Sequence, residues 1–400
     1  MLDDLKLIEL GQGVAPAFCA KLFADLGADA IKIEPPSGDI LRTRGPFANN
    51  EPGPERSGLF AYVNTSKRGI TLDVSSTRGR ELFLELLRDA DILIENNAPS
   101  WMAQHGLTYE RLRKAAPSLI MTSITPFGQD GPWRDYLAND FVVQHTSGIA
   151  YSNGARVRDT ELEPPVVIPG EAAEFAGGLA AAAATMCAVF ARDATGEGEH
   201  IDVALQEVLA MHLQVDCAHV AYSGVVPGRA ASAQPPIPYV GQQPAADGYI
   251  DFVVRTEDHW RRLLNVFGDP EWSANELFAT MASRSQYWDA LEPLIQQETR
   301  RFNKEELFRT SQAHGVSAAA VYTVADAAAS EHFADRGCFV EHEHPAIGTL
   351  RTPGPPVRFG AEGARIRRAA PQVGEHNNEV FARIGLTQQD LSVLREGGVV

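Results

Sequence analysis

The sequence predicts an α/β fold with a mostly parallel sheet and a second, smaller α+β domain. Three observations carry this. Strand-like apolar runs alternate with helix-like segments through the first 123 residues. The texture changes past residue 248, where one strand is followed by three or four amphipathic helices. The chain has 400 residues, 44% apolar and 22% charged, which suits two or three domains or one large α/β unit with an appendage.

Taken in order, residues 5–10 read as a buried strand and 11–16 as a tight turn. Residues 17–26 form an amphipathic helix that stops at Gly27, a residue suited to a left-handed cap. The next strand, 30–34, is ended by Pro35 and Pro36. Strand 69–73, helix 77–89, strand 91–95, a short helix at 109–115 and strand 119–123 continue the alternation. An Ala-rich helix over 171–192, a strand at 200–204 and a helix over 206–222 follow. Residues 223–248, rich in Gly, Pro, Ala and Gln, read as linker plus loop. The chain therefore divides into a large domain over 1–222, a linker over 223–248 and a small domain over 249–329.

The net charge of −17 argues against nucleic-acid binding, which needs a basic surface, but leaves room for a small anion in a local basic pocket. Cys19, Cys187, Cys217 and Cys338 are scattered without a CxxC pair, so neither zinc nor a disulfide framework is indicated. The cluster Glu341-His342-Glu343-His344 reads as a solvated turn or edge strand rather than a metal site. The acidic N-terminus is unlike a signal peptide, so a cytoplasmic location is expected. The apolar stretch 175–191 is shorter than the ~20 residues of a membrane span and reads as a buried helix.

Three motifs could carry chemistry. Gly11-x-Gly13, with Glu34 ending the next strand, is similar to a dinucleotide fingerprint, although Pro16 stands at the third glycine. A plain tight turn is the alternative, and a helix N-terminus there would still suit the ADP part of another ligand. Glu171 and Glu174 open the Ala-rich helix, where a carboxylate complements the dipole. Gly177-Gly178 just after them cost roughly 1 kcal/mol each in a helix, so a close approach of another backbone or a ligand should compensate. Finally, Arg42, Arg44, Lys67 and Arg68 gather cations in an acidic chain, fitting either a phosphorylated ligand or a solvated surface.

Several ordered segments carry a resemblance across nearly the whole chain. They are residues 25–34 with Gly38-Asp39, residues 64–73, 91–96, 128–132, 195–198 followed by Ile201-Asp202-Val203, and Gly374-Glu375-His376. Together they resemble the family III CoA-transferases. The resemblance implies a large Rossmann-like domain made from both chain ends, completed by about 330–400, and a small domain from its middle. It also implies an interlocked homodimer, with coenzyme A as substrate and product and no metal. The family's aspartate nucleophile falls at Glu174, four residues before Gly178 and 21 before Thr195. CoA-lining positions fall at Val14, Ala15, Leu72, Asn96 and Asn97, and Arg42 joins this set from the polar loop. A phosphate-holding arginine of the family falls at Gln104, and a helpful lysine at Leu137, with Arg134 nearest to it. The racemase branch has a histidine where Asn139 precedes Asp140, so racemisation is not expected. The resemblance thus implies transfer of CoA between an acyl-CoA and a free carboxylic acid, through an anhydride and a glutamyl-CoA thioester on Glu174. The alternatives are a weak or inactive subunit paired with an active paralogue, and another acyl-CoA or nucleotide function on the same scaffold.

Overall fold

The computed structural model describes residues 1–153, 162–228, 240–360 and 363–400. Contacts divide the chain into two compact units. The first comprises Met1–Asn153, Val166–Pro227 and Asp335–Val400.

The first unit opens with β1 (Lys6–Leu10), α1 (Val14–Asp25), β2 (Asp29–Glu34), α2 (Gly58–Val63), β3 (Arg68–Thr71), α3 (Thr77–Leu87) and β4 (Ile92–Glu95). It continues through α4 (Pro99–Gln104), α5 (Tyr109–Ala115), β5 (Ile120–Thr125), α6 (Asp140–Thr146) and α7 (Ile149–Ser152). Then come α8 (Ala172–Thr195), β6 (His200–Ala204), α9 (Leu205–Ala210) and α10 (Gln214–Ser223). The six strands form one sheet in the order β3-β2-β1-β4-β5-β6, and every pairing is parallel. The order reverses between β1 and β4, where Leu10 lies opposite Glu95. Open α/β sheets bind ligands beyond the carboxyl ends of their strands at such a reversal.

All six strands come from residues 6–204, while the far end of the chain supplies cover. Val380, Phe381, Leu391 and Leu394 join Ile33, Ile70, Leu82 and Phe83 in one apolar core. The other core holds α1 and α8 against β4 and β5, through Ala15, Phe23, Ala181, Ile94 and Ile124. Residues 341–344 are not a turn but the end of β10 (Phe339–His344), paired antiparallel with β11 (Gly348–Pro353). His344 is buried there, and no cluster of metal-ligating side chains exists among the described residues.

The second unit, over residues 240–334, has an antiparallel sheet of β7 (Gly241–Ala245), β8 (Gly248–Phe252) and β9 (Ala318–Ala320). Its core is built from Phe252, Trp260, Leu263, Trp288, Leu291 and Ile295. Strand β7 lies inside the 223–248 stretch that composition alone reads as connecting chain. Its sequence, GQQPA, lacks the β-branched and aromatic residues that mark strands.

Helix α1 starts three residues earlier than the turn at 11–16 suggests, because Pro16 sits in its first turn. No intrahelical N–H partner is needed there, so the ring is tolerated. Helix α8 is long and apolar enough by length and composition to cross a membrane. In the fold one side of it is instead packed, burying Ala173, Gly177, Gly178, Ala181, Ala182 and Thr185. The two glycines have a steric reason. A Cβ on Gly178 would lie 2.6 Å from the Ala15 carbonyl oxygen, and one on Gly177 only 2.0 Å from Leu205. Their helix-propensity cost is therefore exchanged for close contact, of Gly178 with the α1 backbone and of Gly177 with the Leu205 side chain of α9.

Candidate active site

That close contact brings the first turn of α8 against the N-terminus of α1. Glu174 does not cap its own helix. Its Oε2 accepts from the Val14 amide at 2.7 Å and the Ala15 amide at 3.2 Å, two donors at the start of a different helix. The N-terminus of α8 is satisfied separately, by Asp140 Oδ1, which accepts from the Ala173 and Glu174 amides at 2.7 and 3.2 Å. Asp140 was not singled out as a site residue by sequence reasoning; only its place beside Asn139 was noted. An Asn-Asp pair opening an apolar helical run is the cap signal that marks it.

The carboxylate of Glu174 is held above the ordinary range. Burial is the main cause, outweighing the Val14 amide, and Glu171 and Asp140 add repulsion. The result is an anion that two amides and a helix dipole orient, yet whose ionised form is not over-stabilised. Gly13 makes room for it: its φ is 91°, and a Cβ there would approach Glu174 Oε2 to 3.3 Å.

The β1–α1 turn that presents these amides is fixed from two sides. Asn96 accepts from the Gln12 amide at 3.0 Å and donates to the Gln12 carbonyl at 2.7 Å, and Asn97 donates to the Leu10 carbonyl at 2.9 Å. Beneath the turn lies a buried ion network. Lys32 Nζ pairs with Glu9 and Asp39, each at 2.7 Å, and donates to the Gly11 carbonyl at 3.2 Å. Lys67 Nζ bonds Glu9 Oε2 and the Ala17 carbonyl, both at 2.7 Å. All four side chains are shut off from solvent. Burial opposes ionisation of Glu9, but Lys32 and Lys67 hold it below the usual range; burial pulls Lys67 down to about 8. Two cations and two anions leave the network neutral, the condition under which buried charges are tolerated.

The structure redistributes the cations gathered by sequence. All five N–H groups of Arg42 are engaged: two by Glu34, one by Glu55, and two by the Pro54 and Pro371 carbonyls. Its guanidinium also stacks 3.7 Å from the Phe60 ring. Arg42 therefore has no donor left for a phosphate, which corrects its expected role as a CoA contact. Glu34, the acid of the fingerprint reading, is consumed by the same pair. Lys67 belongs to the buried network, and Arg68 is paired with Asp29 and Glu379. Arg44 is the most open of the four: one nitrogen meets Glu171, and its side chain is 43% exposed, against 21% for Arg68.

The remaining expected contacts fall in three places. The side chains of Val14 and Ala15 are buried, so it is their amides that reach the site. Leu72 and Asn97 line one cleft at the carboxyl ends of β1 to β3, together with Gln12, Pro35 and Trp101. Gln104 is exposed at the end of α4, one turn beyond Trp101. Arg134 is half-exposed and held by Asp135, whose other oxygen accepts from the Ser100 amide in the first turn of α4. Leu137 is almost fully exposed.

Comparison with known proteins gives one consistent result. The family model for CoA-transferase family III matches residues 2–377. A succinate–glutarate CoA-transferase from Agrobacterium fabrum is 32% identical over 392 residues, covering 96% of this chain and 95% of that protein. A formyl-CoA:oxalate CoA-transferase from Streptomyces avermitilis is 27% identical over 100% of this chain and 99% of its own. Among solved structures, a CAIB/BAIF family protein from Brucella suis superposes with a TM-score of 0.83 at 32% identity, covering 96% of this chain and 99% of that one.

Proposed function

The chain belongs to CoA-transferase family III, and we propose that it moves CoA between an acyl-CoA and a free carboxylic acid with Glu174 as its nucleophile. One observation carries this reading: a buried carboxylate with raised proton affinity, aimed at two free amides of a helix N-terminus. The fold supplies the complementary part. A cleft at the carboxyl ends of β1 to β3, flanked by Trp101 and Asn97, suits the nucleotide end of CoA.

The chemistry balances as follows. A Glu174 oxygen attacks the donor thioester carbonyl, the C–S bond breaks, and CoA leaves as thiolate while a mixed anhydride forms. The thiolate attacks the glutamyl carbonyl, releasing the donor acid and leaving a glutamyl-CoA thioester. The acceptor carboxylate attacks that thioester, expelling the thiolate and giving a second anhydride. Attack of the thiolate on the acceptor's acyl carbonyl yields the new acyl-CoA and restores Glu174. Each tetrahedral centre needs N–H donors near the developing oxyanion, and the Val14 and Ala15 amides sit beside the reacting carboxyl. Relative to aspartate, Glu adds one C–C bond, about 1.5 Å. That reach is already taken up here, since Oε2 meets both amides within hydrogen-bond distance.

Mass spectrometry of the protein incubated with a panel of acyl-CoA donors tests this. A CoA adduct on the peptide carrying Glu174, removable by hydroxylamine, is the expected result. A second reading has support in one relative, a "Succinyl-CoA:(R)-benzylsuccinate CoA-transferase subunit BbsE" from Thauera aromatica, 31% identical over 96% of this chain. It is a chain that works beside a different active subunit. No adduct and no turnover with any donor would favour it.

A further inference from the structure

Resting on the transferase reading above, we propose that Arg44 reads a second carboxylate on the acid, so that the site takes dicarboxylic acyl groups in preference to monocarboxylic ones.

The mouth around Glu174 is rich in negative charge. Glu171 and Asp140 both lie close enough to raise its proton affinity. A dianionic acid would be repelled there unless a cation answered it. Three of the cations near this turn are committed, as Lys32, Lys67 and Arg42 are buried in pairs of their own. Arg44 is different. One nitrogen contacts Glu171, and the others have no partner among the described residues. Its backbone is fixed, because its carbonyl accepts from Ser57 Oγ at 2.7 Å and its amide donates to the Leu41 carbonyl at 3.1 Å. The free edge of a guanidinium is shaped to bind a carboxylate by two parallel N–H bonds.

The placement fits the proposed ligand. Glu171 is the residue before α8, and its carbonyl accepts from the Phe175 amide at 3.0 Å, so it shares the first turn with Glu174. Glu171 is close enough for its charge to act on Glu174, so the Arg44 guanidinium that it contacts lies at the same helix end as the proposed nucleophile. The Glu171 pair does not block this. It is partly solvated on both sides, and such pairs are weak and exchangeable. The subsite serves both halves of the cycle, since donor and acceptor acyl groups occupy the same anhydride on Glu174.

The test is donor labelling of the intact protein with two matched probes, succinyl-CoA and butyryl-CoA, read as the rate of adduct formation on Glu174. Wild type is expected to prefer succinyl-CoA. Losing a charged hydrogen-bond pair in Arg44→Leu should lower the succinyl-to-butyryl ratio by about 10- to 100-fold, with Arg44→Lys recovering part of it. An unaltered ratio overturns the proposal. If neither probe labels wild type, the transferase reading fails by itself. The Arg44 subsite is then judged by calorimetry with succinate and butyrate: about tenfold weaker succinate binding in Arg44→Leu supports it, and equal or absent succinate binding overturns it.

Discussion

Glu174 shows how one side chain can be both oriented and kept reactive. The amides of Val14 and Ala15 hold it, while burial and the neighbouring acids keep its proton affinity above the ordinary carboxylate range. Transfer needs the ionised form, so kcat/KM should rise with pH through an apparent pKa above the usual carboxylate value, in a pH–rate profile. Glu174→Gln should abolish turnover while CoA binding by calorimetry survives; retained activity would place the nucleophile elsewhere. Glu95, at the end of β4, is a second tuned acid. Burial pushes it up to about 7, against the opposing bonds from Ser123 and Asn97. Its folded pKa exceeds its unfolded one, so its contribution is intact below about pH 4.5 and is lost as pH rises to about 7. That loss is on the order of 3 kcal/mol. Urea melts at pH 5 and pH 8 should show wild type losing stability across this interval and Glu95→Gln losing less.

At the scale of elements, the α1–α8 contact positions the chemistry. Gly178→Val would force a side chain against the Ala15 carbonyl, backbone that cannot swing aside. Such overpacking should cost about 1–3 kcal/mol in a thermal melt. A 1 Å displacement of Glu174 from the amides would add a loss of roughly 100-fold in kcat. If kcat is kept while stability falls, the contact is structural only. The parallel strands and the opening of α8 were legible in the sequence because apolar runs, proline stops and helix caps are local signals. The glycine pair announced a close approach, but not its partners: Leu205 for Gly177, and for Gly178 Ala15, about 160 residues away. Arg42 was misread because a cation-rich segment looks like a phosphate site until folding brings Glu34 and Glu55 from either side, and Pro371 from 329 residues away, onto its guanidinium. Strand β7 was invisible because it is made by pairing with β8 rather than by its own residues.

Over the whole molecule, the first unit leaves much apolar surface exposed. Phe190, Met211, Leu137 and Tyr222 are each more than 70% exposed, and Leu179 more than half. Isolated exposed apolar residues are ordinary, but large ones concentrated along α8 to α10 are the kind of surface that a second chain would cover. We expect a dimer, and light scattering at micromolar concentration should give twice the 43.4 kDa chain mass. A monomeric mass would remove that expectation. The placement of nucleophile and amide donors on two helices has one more consequence, for observation rather than catalysis. The amide hydrogens of Val14 and Ala15 are bonded to an oxygen of the carboxylate that the proposed mechanism acylates. When that oxygen loses its charge, their acceptor weakens without any movement of the fold. On the proposed mechanism their nitrogen-proton resonances would therefore be a built-in gauge of the covalent state, distinguishing free, anhydride and thioester forms from the very turn that supplies the N–H donors.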